Sequence, residues 1–135
     1  MAKTRRIGIL VAIDDREFDL MMNERIVMRS GLVNEFRGFL DAREAMEFLR
    51  QTDHPPVDAI LLNINMPLMD GFEFLEMATA EFGDAFARIV VLMLTTSLVQ
   101  RDRERAMQFA AVKEFSNKPL KVQLLKQITG HLLAA

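Results

Sequence analysis

The chain has 135 residues and no cysteine; 50% of it is hydrophobic, 27% is charged, and the formal net charge is −2. That length suits one domain burying about two thirds of its unfolded surface, and the charge leaves no basic footprint for nucleic acid. Without cysteine there is no disulfide framework, thiol nucleophile or thiolate metal site.

The start, MAKTRRIGILVAIDD, carries two arginines, but its apolar run from Ile7 to Ile13 ends in acids and lacks a cleavage pattern. No apolar run approaches the roughly 20 residues that cross a bilayer. A cytoplasmic protein with neither membrane nor nucleic acid among its partners is expected.

RIGILVAI is a β-branched run, too short and too apolar for a surface helix, and is predicted to be a buried strand. From Arg16 to Ser30 the apolar residues Phe18, Met21, Met22, Ile26 and Val27 recur at helical spacing, with Gly31 as a stop. NEFRGFL is a second, weaker strand. Asp41 followed by Glu44 is a capping-box signal, which predicts a helix from about Ala42 to Gln51. DHPP ends it, and VDAILL is a third buried strand. Asp70 and Glu73 repeat the capping spacing and open a helix through GFEFLEMATAEF that closes near Gly83. RIVVLML is a fourth strand and the arginine-rich LVQRDRERAMQFA a fourth helix. A short strand, VKEFS, leads through Lys118-Pro119 into a last helix, LKVQLLKQITGHLL, where Gly130 costs up to about 1 kcal/mol.

Strict alternation of strand and helix implies a parallel sheet with helices on both faces, joined by right-handed crossovers. The pattern fills residues 1–135 as a single domain, without repeats, low-complexity stretches or linkers. In such α/β folds, ligands sit at the carboxyl ends of the strands. The residues closing the apolar runs are Asp14 and Asp15 after the first, Asn63 after the third, Thr95 and Thr96 after the fourth, and Lys118 after the fifth. Two acids, an amide, hydroxyls and an ammonium thus meet on one edge.

Each residue alone has a plainer reading. The Asp pair could cap the following helix, Thr95 could bond to backbone, Lys118 could be a surface lysine and Phe115 core. Two adjacent carboxylates repel, however, and a hard cation such as Mg²⁺ relieves that repulsion with oxygen ligands. X-Pro bonds are where cis peptides occur, and a cis bond before Pro119 could aim Lys118 inward. The ten methionines fit packing filler. His54 and His131 lie far apart without evident partners, so a catalytic histidine is not expected.

Taken together, AIDDREFD, LLNINMPLMDGFEFL, VVLMLTT and EFSNKPL, in that order, resemble the receiver domain of bacterial two-component response regulators over about residues 5 to 134. Met66-Pro67 with Asp70-Gly71 at that spacing is a specific signal. The resemblance implies a doubly wound, three-layer α/β/α fold. Its five-stranded parallel sheet would have the flavodoxin-like order 2-1-3-4-5, flanked by five helices.

The resemblance also implies roles. Position 63 is where the family carries the aspartate that accepts a phosphoryl group from a histidine kinase or histidine phosphotransfer protein. Asp14, Asp15, position 63 and the Asn65 carbonyl would form the Mg²⁺ site, Asp15 directly and Asp14 more often through water. Thr95 and Lys118 would bind the phosphoryl oxygens, and Phe115 would be the switch aromatic that turns inward as Thr95 moves. An output protein would dock on the face of the fourth helix, fifth strand and fifth helix, and self-association is left open. No enzymatic activity is implied.

Asn63 is the departure. Its amide nitrogen has no usable lone pair and its oxygen no charge, so it does not form an acyl phosphate. Mg²⁺ should be held weakly or not at all. Two accounts remain: a natural receiver that works without phosphorylation, or an aspartate replaced to hold the domain off. Thr96 also stands where the family usually has a smaller residue, which narrows access. A Mg²⁺-dependent phosphatase is the lesser alternative, because its nucleophile would need an Asp-x-Asp motif on the first strand. No glycine-rich phosphate loop exists.

Overall fold

Three strands are buried along almost their whole length: β1 (Ile7–Ile13), β3 (Ala59–Asn63) and β4 (Val90–Thr95). They are therefore central and covered on both faces, which is why they read as continuous apolar runs rather than alternating ones. β2 (Val33–Phe39) and β5 (Val112–Asn117) expose part of their length and form the edges. All pairs are parallel, and the sheet order is β2-β1-β3-β4-β5. The computed structural model describes residues 6–134.

The helices are α1 (Glu17–Ser30), α2 (Ala42–Arg50), α3 (Gly71–Phe82), α4 (Asp84–Ala87), α5 (Gln100–Ala106) and α6 (Val122–Ala134). Alternate residues of β1 serve opposite layers. Val11 and Ile13 pack with Met46 of α2, Leu75 of α3 and Ala106 of α5. Leu10 and Ala12 pack with Val27 of α1 and with Leu125, Ile128 and Leu132 of α6. The doubly wound, three-layer architecture and the order 2-1-3-4-5 are as the sequence predicts.

Among the described residues, six helices stand where five are expected. The extra turn, α4, arises because Gly83 stops α3 at φ +56° while Phe86, three residues on, still needs burial. Phe86 meets Phe74 edge to face at 6.0 Å between ring centres, a favoured aromatic geometry.

The fourth predicted helix is also shorter than LVQRDRERAMQFA. α5 has no side-chain cap at Val99 and buries only Ala106, so little apolar packing extends it. Its attachment to α3 is carried largely by Arg105, which pairs with Glu76 at 3.0 Å and lies 4.2 Å over the Phe72 ring.

Side-chain caps account for the starts of α2 and α3. Asp70 accepts from the Glu73 amide at 2.8 Å and Glu73 returns the bond to the Asp70 amide at 3.1 Å, a complete capping box. The expected box at Asp41 and Glu44 is corrected. Asp41 accepts from the Arg43 amide at 2.8 Å and is held by the Arg43 guanidinium, leaving Glu44 outside the cap. α1 starts at Arg16 without a side-chain cap, so neither Asp14 nor Asp15 caps it. Both carboxylates are left for the strand edge.

Candidate functional site

The carboxyl ends of β1, β3, β4 and β5 bring the expected residues to one edge, in two hydrogen-bonded groups. The first centres on Asn63, the last residue of β3. Its Nδ2 donates to Asp15 Oδ1 at 3.3 Å and to the Asn65 carbonyl at 3.0 Å. Both partners are pure acceptors, which fixes the amide's orientation: its nitrogen faces them.

The second group centres on Lys118. Its Nζ donates to Asp14 Oδ2 at 2.6 Å and to Asp19 Oδ2 at 2.9 Å. The other Asp14 oxygen accepts the Arg16 amide at 3.0 Å. Burial pushes the Asp14 carboxyl above its ordinary range, and the Lys118 hydrogen bond pulls against that rise. The Lys118-Pro119 peptide is cis, and the Lys118 amide bonds to the Thr95 carbonyl at 2.8 Å.

Thr95 is buried at the end of β4. Its hydroxyl donates to the Ser97 carbonyl at 3.1 Å and accepts from the Ser97 amide at 3.2 Å, so it closes a local turn. Thr96 is exposed beside it. Phe115 points inward, 7% exposed, within the same core cluster as Met93 and Ala106.

Asp19 and Ser97 are the site residues that sequence reasoning passed over. Asp19 lies in the quoted segment AIDDREFD, one helical turn after Asp15, and that spacing is the only signal for it. Gly71 is a third. A β-carbon there would lie 2.5 Å from the Asn63 carbonyl oxygen and 3.1 Å from Ile64 Cα, so only glycine lets α3 start this close to the end of β3. Between them, the loop carries Leu68 at φ +71°, a left-handed conformation uncommon for a branched residue.

A family profile described as "response regulator receiver domain" matches residues 9–129. The chain belongs to the response regulator receiver domain family. A response regulator receiver protein from Dyadobacter fermentans is 30% identical, with a TM-score of 0.81 over 93% of this chain and 98% of that one. A two-component response regulator from Cytophaga hutchinsonii has the same fold, with a TM-score of 0.87 at 24% identity over 97% of this receiver and 100% of that chain.

Among curated proteins, this receiver is 24% identical over 126 residues to hybrid signal transduction histidine kinase L of Dictyostelium discoideum. It is 28% identical over 123 residues to sensor histidine kinase CheAY of Helicobacter pylori. The chain covers 93% and 89% of itself in these matches but spans only 7% and 14% of those relatives' lengths.

Receivers generally bind Mg²⁺ at an acidic pocket. Here the donor set does not suit the ion as the side chains stand. Mg²⁺ needs near-octahedral oxygen ligands, yet both Asp14 oxygens are engaged, and Asp15 Oδ1 and the Asn65 carbonyl already accept Asn63. Among the described residues, no group of three or more His, Cys, Asp or Glu side chains could hold a metal. No helix among them is long and apolar enough to cross a membrane.

Proposed function

We propose that this chain is a two-component receiver module that engages partner proteins without being phosphorylated at position 63, and that it is not an enzyme. The observation that carries this reading is the Asn63 amide, which donates to Asp15 and to the Asn65 carbonyl. The amide supplies the positive hydrogens those oxygens need, in the role a cation would otherwise take. It offers no nucleophile for phosphoryl transfer. Lys118 and Thr95, the groups that would meet phosphoryl oxygens, are engaged with Asp14, Asp19 and Ser97.

Partners of the histidine kinase or histidine phosphotransfer class are supported by the two curated relatives, both histidine kinases. An output surface on α5, β5 and α6 is supported by the exposed Leu98, Val99 and Val122. Arg103, Phe115 and Lys121 line a cavity of about 440 Å³ beside them.

Intact-mass spectrometry after incubation with acetyl phosphate and Mg²⁺ tests the reading. The chain as it stands should gain no phosphoryl mass, while Asn63→Asp should gain an acid-stable, alkali-labile one. Phosphoryl mass at position 63 in the unaltered chain would overturn it. A restored variant that stays unmodified would show that the pocket is closed for another reason, Thr96 being the first to examine.

A further inference from the structure

On α1 the buried positions are Asn23 and Val27. The other side of the helix carries two large apolar side chains in the open, Met21 at 56% and Met28 at 47% exposure. They are two helical turns apart and so form one stripe along the helix. At about 100° per residue, Glu17 and Glu24 run along one side of this stripe and Arg25 and Arg29 along the other. All four are exposed. Glu24 and Arg25 stand at nearly the same height, between the two methionines, and neither is engaged in an ion pair among the described residues. Met21, Glu24, Arg25 and Met28 border one open groove to which no other element contributes.

We propose that this face of α1 is a self-association surface whose occupant is a second copy of this chain, the two α1 helices lying side by side and parallel about a two-fold axis. The order of the charges selects that occupant. A two-fold axis along the helices sets the acidic side of each against the basic side of the other, so Glu24 meets the partner's Arg25, and symmetry makes the pair twice. An antiparallel pair would set acid against acid and base against base. In the parallel arrangement Met21 packs on the partner's Met21 and Met28 on the partner's Met28, above and below the charges. Methionine adapts to such a contact, and the charges fix its register. α1 has 14 residues and is about 21 Å long, too short to bury the roughly 1,200 Å² of a standard interface alone. The dimer is therefore weak and depends on concentration. None of the four central residues belongs to the Asn63 or Lys118 groups, so pairing is independent of phosphorylation at position 63.

Sedimentation equilibrium of the full chain over a wide range of concentration tests it. The unaltered chain should pass from monomer to dimer as the concentration rises. Glu24→Arg and Arg25→Glu should each weaken association at least tenfold, because both charge pairs become repulsive. An equimolar mixture of the two variants should regain it, since each contact between unlike copies is then a pair of opposite charges. Both positions are exposed, so neither change threatens the fold. Single cysteines report the orientation cleanly, because the chain has none of its own. Under air, Met21→Cys should form a disulfide dimer with itself, and so should Met28→Cys. A cross-link that forms only when these two are mixed would mark an antiparallel pair and overturn the proposal. So would charge variants that associate like the parent, or a mixture no tighter than its components. A monomer at every concentration would overturn it too, and would leave the α1 face to a different protein.

Discussion

Gly71 opens α3 directly against Asn63: a β-carbon at Gly71 would stand 2.5 Å from the Asn63 carbonyl oxygen. Alanine is the better helix former, by up to about 1 kcal/mol. The obstructing atoms are backbone, however, and cannot swing aside like a side-chain tip. Overpacking of this kind costs about 1–3 kcal/mol, so the clash wins. Gly71→Ala should lower the denaturation midpoint and shift the Asn63 side-chain amide signals. A variant as stable as the parent would mean that the turn has slack.

Asn63→Asp should strengthen Mg²⁺ binding by about tenfold or more, since affinity for hard cations rises with ligand charge. The change removes the two hydrogens donated to Asp15 and Asn65 and adds a carboxylate oxygen facing them. Calorimetric or NMR titration of both chains measures it. Equal affinities would separate the Asn63 group from any cation site.

Lys118 is the counter-charge of a buried acid, with the two side chains only 12% and 3% exposed. Lys118→Met should destabilise the fold by about 3–5 kcal/mol, because removing one partner strands the other charge. Without the ammonium, burial raises the Asp14 carboxyl further above its ordinary range. The native state then holds a proton that the unfolded chain gives up. The deficit should therefore shrink as the pH falls, and Asp14→Asn in the same background should recover much of it. Urea titrations across the acid range follow both effects.

Asp41→Ala should cost about 1 kcal/mol at neutral pH, the usual worth of an N-cap. The Arg43 guanidinium and amide hold the Asp41 carboxyl below its ordinary value of 3.8. A lowered carboxyl stabilises the fold fully above the unfolded value and loses that contribution as the pH falls through the folded one. The difference between parent and variant should stay level near neutrality and narrow only below pH 3.8. Narrowing that is complete well above that value would assign the effect to another group.

Sequence reading reached the central strands because β1, β3 and β4 are buried on both faces and so appear as unbroken apolar runs. It reached α3 because Asp70, Glu73 and Gly83 mark both ends locally. It missed α4, since four residues carry no period and the reason for the turn is Phe86 meeting Phe74 in space. The meeting of the strand-end residues on one edge was legible, but which of them bonds to which was not. Asp19 joins the site through Lys118, 99 positions away, and whether Asn63 donates or accepts depends on which acceptors the folded loop presents.

The pair of Asp14 and Lys118 closes a contact over 104 residues of chain. Almost the whole polypeptide must be in place before Asp14 meets its counter-charge. Contacts of such separation form late, because loop closure comes before the reward for it. A nascent chain lacking β5 and the turn after it would carry the Asp14 carboxylate at the end of β1 with the Arg16 amide but no counter-charge. The fold therefore has a built-in check on its own completion: the acid at the end of β1 meets its ammonium only once the last strand has arrived beside β4.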